Sequence, residues 1–297
     1  PRTTQAELRA EYPYLFNMPF GVDGDFSLYK NDTLYIDVKE QIGLKYLFTG
    51  VNYFRFYFRN ASSSMLNFDS AQVIATKQLP SYLDYRTQYY GLEYRLEKLD
   101  YRFNPSRGWN LSLSAEAGNR KVKENTAIIQ LQDPANPEFD FSSLYDSVAT
   151  KEAQYIFRTT LLRYWPLTQR SVVMAGYHGA VLISNDILQN ELFRIGGFQL
   201  LTGFDEQSIY ASQYHVATLE YHYLLGQNSF FFVFTEGAFV QNQLASDEDD
   251  YPYSFGAGMN FETKAGIFTM SYAVGAQQNN PVQFRSAKIH FGYVNYF

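Results

Sequence analysis

Four histidines, His178, His215, His222 and His290, are the side chains best suited to hold a metal or to pass a proton near neutral pH. None stands in a His-x-x-x-His pair that would set two imidazoles on one helical face. His215 and His222 lie at opposite parity on one predicted strand, so they point to opposite faces and cannot share a metal. Ser171 and His178 fail as a nucleophile and base for the same reason. No Gly-x-Ser-x-Gly elbow occurs. The absence of cysteine excludes thiolate nucleophiles, thiolate metal sites and disulfides. Asp247-Glu248-Asp249-Asp250 is an acidic loop tip with two readings, a solvated loop or a divalent-cation bridge to surface lipid. Gly256-x-Gly258 and Gly275 fall inside predicted strands with no helix after them, which suits close approach or strand bending and not a phosphate cradle. The expectation is a protein that is not an enzyme, with no metal and no cofactor.

The elements that carry these residues follow from composition and pattern. The chain has 297 residues, with 24 Lys+Arg against 30 Asp+Glu and a net charge of -6. No basic excess exists to neutralise phosphates, which argues against a nucleic-acid partner. Tyr 26, Phe 26 and Trp 2 make 18% of the chain, yet the mean hydropathy is -0.31. A lipid-facing surface with aromatic girdles accommodates that combination, and a soluble globule does so poorly. The longest purely apolar run, Phe230–Phe234, is far too short for a transmembrane helix. Pro1-Arg2-Thr3-Thr4-Gln5 lacks the apolar region of a signal peptide. An outer-membrane location therefore implies a signal upstream, and the lack of cysteine fits an oxidising periplasmic route.

Alternation with period two runs from end to end. Phe54, Phe56 and Phe58 interleave with Arg55, Tyr57 and Arg59, and Tyr90, Leu92, Tyr94 and Leu96 interleave with Gly91, Glu93, Arg95 and Glu97. The pattern predicts about twelve strands: 24–30, 33–48, 51–62, 87–99, 107–119, 153–165, 171–184, 213–225, 229–241, 252–263, 266–277 and 288–297. Their length and the aromatics near their ends indicate an all-β transmembrane antiparallel barrel, closed so that no edge meets lipid. Short turns such as Thr49-Gly50 and Lys264-Ala265 alternate with long connections at 63–86, 120–152, 185–212, 242–251 and 278–287, which places the long loops outside the cell. The segment before Asp23 does not alternate, and Glu7–Leu15 reads as an interfacial aromatic cluster. Arg55, Arg59, Arg95, Arg102, Arg158 and Arg163 are candidates to line the lumen with Glu93, Glu97 and Glu220. One domain, 1–297, is expected.

The stretch Glu-Leu-Phe-Arg-Ile-Gly-Gly-Phe-Gln-Leu-Leu-Thr-Gly-Phe over 191–204 resembles the sixth extracellular loop of the BamA/TamA-type assembly barrels of the outer membrane protein 85 (bacterial surface antigen) superfamily. Gly196-Gly197 stands as that family's Gly-Gly pair, and Thr202-Gly203-Phe204 stands where it carries Arg-Gly-Phe. Glu236-Gly237 is similar to the acidic residue and glycine that end a following strand. Gly292, Tyr293 and Phe297 are similar to a C-terminal assembly signal, with Asn295 where that signal usually has an aromatic. Glu-Tyr-Pro-Tyr-Leu-Phe-Asn near the start and Phe-Glu-Thr-Lys-Ala-Gly-Ile-Phe near the end look like versions from the Bacteroidota.

The resemblance implies that the chain covers the fifth to sixteenth strands of a sixteen-stranded barrel, without the first strands and the periplasmic POTRA repeats. It implies that loop 185–212 folds inward, where the family's arginine pairs with the acidic residue. With Thr202 in that place, Glu236 is either solvated or served by another cation, for which Arg194 is the candidate. The function implied is insertion or export of outer-membrane proteins by lateral opening at the last strand and strand templating. The partners implied are outer-membrane lipid and lipopolysaccharide, unfolded outer-membrane protein clients and accessory lipoproteins. A passive or gated transport pore and a structural subunit of a larger outer-membrane complex are the alternatives.

Overall fold

The computed structural model describes residues 3–244, 249–278 and 280–295. Thirteen strands follow one another as antiparallel or sequential neighbours in one sheet, ordered β1-β2-β3-β4-β5-β6-β7-β8-β11-β12-β13-β14-β15. They are β1 (Thr3–Tyr12), β2 (Phe20–Asn31), β3 (Tyr35–Thr49), β4 (Asn52–Met65), β5 (Tyr85–Leu99), β6 (Gly108–Val122), β7 (Lys151–Thr168), β8 (Ser171–Ile183), β11 (Gln213–Leu224), β12 (Phe230–Gln241), β13 (Tyr253–Thr263), β14 (Gly266–Ala276) and β15 (Lys288–Val294). A separate two-stranded sheet, β9 (Phe193–Ile195) with β10 (Ile209–Ala211), lies inside the connection from β8 to β11. No helix among the described residues is long and apolar enough to cross a membrane.

The chain forms two compact units. The first comprises residues 1–94, 114–156 and 182–191. On one face of its sheet Ile42, Leu44, Phe54, Phe56, Tyr90 and Leu92 are exposed. Phe48, Phe54 and Tyr94 pack there with ring centroids 4.7–6.1 Å apart. On the other face Arg55 bonds Asp23, lies 2.9 Å from Asp25 and 3.2 Å from Glu93, and Arg59 meets Glu116. Guanidinium groups this buried hold only because carboxylates surround them. Tyr57 covers Gly91 and donates to Glu116 at 2.8 Å, an aromatic ring filling the space a glycine leaves.

The long connections of this unit build a core of their own. Val73 on the short helix α1 (Ser70–Thr76), Ile128 on α2 (Thr126–Ile129), and Phe141 and Tyr145 on the 3-10 turn Phe141–Ser147 bury against Leu83, Tyr85, Val122 and Leu188. Lys77 sits 4.6 and 4.7 Å from the rings of Phe139 and Phe141 and pairs with Asp133. At the base, Arg120 has no exposed side-chain surface, donating to Glu191 at 2.7 Å and to Asp186 at 3.0 Å.

The second unit comprises residues 95–113, 157–181 and 192–297. Its strands β11 to β15 repeat the division of faces. Leu219, Tyr221, Phe231, Val233, Tyr272, Ile289 and Phe291 are exposed on one side, while Val216, His222, Glu236, Ser254 and Ser271 are buried on the other.

The predicted strands coincide with the observed ones to within a few residues, but the sheet holds one more. Thr3–Tyr12, expected in part as an irregular aromatic cluster, is β1, paired with β2 from Thr3 opposite Asn31 to Tyr12 opposite Val22. Gln5, Glu7, Arg9 and Glu11 do alternate with Ala6, Leu8, Ala10 and Tyr12, but Ala, Leu, Glu and Arg are strong helix formers, which hid the period-two signal. The strand forms because β2 offers an edge and because Arg9 meets Asp25 and Glu11 meets Lys45 at 2.9 Å. Arg163 also departs from expectation, lying over Trp165 at 5.5 Å on the face of Phe157 and Leu161. Its parity on β7 differs from that of Arg158, so the two cannot line the same side. Asp247, Glu248 and Phe297 lie outside the described residues.

Candidate functional site: the docked loop

Register brings Thr218, Glu236, Ser254 and Gly275 into one row across β11, β12, β13 and β14, all on the buried face. The loop segment 198–205 lies on this row. Glu236, 5% exposed, accepts hydrogen bonds from the Thr202 amide at 2.6 Å, the Ser254 hydroxyl at 2.6 Å and the Leu201 amide at 3.3 Å. Two backbone donors and a hydroxyl thus answer a buried carboxylate at the place where the resemblance sets an arginine. Arg194 lies at the base of the loop on β9, opposite Tyr210.

The loop reaches this seat through unusual backbone. Gly196 and Gly197 have φ +104 and +106, a region closed to side-chain-bearing residues. Leu201 has φ +58 and is fully buried. A non-glycine residue in the left-handed region costs about 1–3 kcal/mol. Here the Glu236 contact and the packing of Leu201 and Phe204 against Ile195, Ala211, Val216 and Val240 offset that cost. Gly203 passes so close to β14 that an added Cβ would stand 2.3 Å from the Gly275 nitrogen. The Phe204 ring covers Gly275. Of the loop residues singled out in the sequence, Thr202, Gly203 and Phe204 lie against Glu236 and β14, while Gly196 and Gly197 lie against the loop's own Asp205 and Glu206.

Residues that sequence reasoning did not single out complete the seat. Ser254 was findable by register, since it stands opposite Glu236 on the next strand. Lys288 reaches Asp205 at 2.6 Å, and His290 donates from Nε2 to the Thr202 carbonyl at 2.8 Å. Nothing in the order of residues marks these two contacts, because both join segments more than 80 positions apart in sequence. Gly292 lies under the Phe198 ring, while Tyr293, its neighbour in the predicted C-terminal signal, is on the exposed face and donates to the Ala265 carbonyl.

The candidate chemical groups stay apart. His178 bonds Thr160 at 3.3 Å, and Ser171 bonds Thr168 at 2.8 Å. His215 lies between Tyr177 and Gln213, at 2.6 and 2.8 Å, on the face opposite His222, which bonds Glu220 at 2.7 Å. Among the described residues no group of three or more histidines and carboxylates gathers as a metal site. In the loop base, burial pushes the Glu191 carboxyl up, and Arg120, the Leu188 amide and Gln154 pull it back.

No curated protein matches the chain in sequence. Among solved structures it is similar to BamA from Haemophilus ducreyi lacking POTRA domains 1–3, with a TM-score of 0.66 at 13% identity, over 97% of this chain and 61% of that one. It also matches CdiB from Acinetobacter baumannii with a TM-score of 0.47 at 12% identity, over 92% of this chain and 53% of that one. The chain thus spans about three fifths of the BamA chain whose fold it shares. The Omp85 superfamily domain matches residues 8–297, nearly the whole length. Matched over nearly its whole length, the chain belongs to the Omp85 superfamily, a family of bacterial outer-membrane β-barrels.

Proposed function

We propose that the chain is the membrane-embedded part of a machine that inserts or translocates outer-membrane proteins, working by lateral opening at the last strand, β15, and by strand templating, without covalent chemistry. The observation that carries this reading is the docked loop: Thr202-Gly203-Phe204 is seated on Glu236 and Gly275, and Gly196-Gly197 folds against the loop's own Asp205 and Glu206, in a family of assembly and transport barrels. β15 fits the reading: it pairs with β14 from Lys288 opposite Ala273 to Val294 opposite Ile267, and the family resemblance makes it the strand beside the lateral opening. Once β15 parts from its neighbour across the opening, its freed N–H and C=O groups would template an incoming strand. Clients would be unfolded outer-membrane proteins, in contact with lipid and lipopolysaccharide, and accessory lipoproteins would bind outside this chain.

The test is client folding. Full-length protein in liposomes is expected to accelerate the insertion of an unfolded outer-membrane barrel, read by protease protection of the client. Steady ion conductance without any effect on client folding would instead support the pore, and inactivity in both assays the structural subunit.

A further inference from the structure

We propose that loop residues 198–205 form a clasp that fastens the last strand, β15, to β14 from the polar face. The inference rests on the proposed reading that β15 is the strand that moves. Among the described residues β15 pairs with β14 over seven positions, against the eleven over which β13 pairs with β14. A shorter ladder holds its strand with fewer hydrogen bonds, so contacts from the polar face count for more.

Three successive polar-face positions of β15 each meet the loop. Lys288 pairs with Asp205 at 2.6 Å, His290 donates to the Thr202 carbonyl at 2.8 Å, and Gly292 lies under Phe198 so closely that a Cβ would stand 2.9 Å from the ring. The Phe198 ring also packs against His290, with centroids 5.9 Å apart. On β14, Gly275 receives both the Gly203 backbone and the Phe204 ring. One segment therefore spans both strands, and it is anchored on neither. Its anchor is Glu236 on β12, with Ser254 on β13.

This arrangement separates two events. Release of β15 must break the contacts of Phe198, Thr202 and Asp205 with the strand, but it leaves the hydrogen bonds to Glu236 intact. The Lys288–Asp205 pair is half-exposed on one side and open on the other, with side chains 30% and 73% accessible, so it steers more than it holds. The holding contacts are the His290 hydrogen bond and the Phe198 ring.

The experiment uses the full-length protein in liposomes of phosphatidylethanolamine and phosphatidylglycerol, with amide hydrogen exchange read separately at 288–294 and at 201–204. F198A/H290A is expected to speed exchange in 288–294 by about tenfold while leaving 201–204 unchanged. K288E is expected to speed it a few-fold, and K288E/D205K, which reverses the pair, to return it toward the parent value; this last variant guards against a general loss of folding. Unchanged exchange at 288–294 in F198A/H290A overturns the clasp, as does equal acceleration at 201–204, which would mean that loop and strand leave together. Client insertion measured on the same variants judges the functional reading by itself. If β15 loosens and the insertion rate stays at the parent value, the clasp stands and the strand-templating reading fails.

Discussion

Replacing Glu236 with alanine removes the acceptor that seats the loop. It leaves the amides of Leu201 and Thr202 and the hydroxyl of Ser254 without their partner, at positions that are 0%, 8% and 0% exposed. An unsatisfied buried polar group costs about 1–3 kcal/mol. The Leu201 bond is long at 3.3 Å and counts for less, and the Ser254 hydroxyl can rotate toward another acceptor. The expected loss is therefore about 3–4 kcal/mol of loop docking, dominated by Thr202. At 1.36 kcal/mol per tenfold, the Thr202 amide should exchange about 100–1,000-fold faster. Glu236→Gln separates charge from shape. An amide oxygen placed toward Thr202 and Ser254 keeps both short bonds, while the amide nitrogen faces the Leu201 N–H and repels it. Its cost should be about 1–2 kcal/mol, or roughly 5–30-fold in exchange. The assay is amide hydrogen exchange resolved at 200–204 with the protein in detergent or lipid. If the alanine variant protects Thr202 as well as the parent does, the carboxylate is not the seat, and burial of Leu201 and Phe204 holds the loop by itself.

Other perturbations probe separate parts of the molecule. Gly203→Ala should unseat the loop, because the new Cβ meets β14 backbone at 2.3 Å where nothing can give; cleavage at Glu206 by a glutamyl endoprotease should then be faster than in the parent. Arg120→Met should destabilise the connection at 184–191 by about 3–5 kcal/mol, since Glu191 stays buried without its cation; Arg120→Met with Glu191→Gln should recover part of that loss, and a double variant as damaged as the single would refute the pairing. Arg194→Gln tests whether a cation also serves Glu236: acceleration of Thr202 exchange like that of Glu236→Gln makes Arg194 part of the anchor, and exchange within about threefold of the parent leaves the seat to the two amides and the Ser254 hydroxyl. Lys77 holds the Asp133 carboxyl below its ordinary value, helped by the Ala135 amide. The pair's contribution is thus present above the usual carboxylate range and is lost as pH falls below about 4. Exchange in 139–147, corrected for its intrinsic pH dependence, should rise there in the parent and not in Lys77→Met.

Strand positions and faces were legible in the residues because alternation is a local property, readable wherever an apolar residue recurs every second place. Phe54, Phe56 and Phe58 declare a strand without reference to anything else in the chain. Thr3–Tyr12 alternates as well, but in the helix formers Ala6, Glu7, Leu8, Arg9 and Ala10, and it becomes a strand on the edge that β2 offers. The loop motif was likewise visible as two glycine-led groups, and the value of Glu236 followed from its resemblance and from the cost of burying a charge. What answered that charge was not visible. A backbone amide has no letter in the sequence, and only the fold puts the N–H groups of Leu201 and Thr202 within reach of a side chain 34 or 35 positions away. The same holds for Lys288, His290 and Gly292, whose alternation marked a strand but not what that strand touches. Local sterics and hydrophobicity set the strands, and tertiary closeness alone decided which polar groups meet, because hydrogen-bond partners are chosen by distance and direction and not by order along the chain.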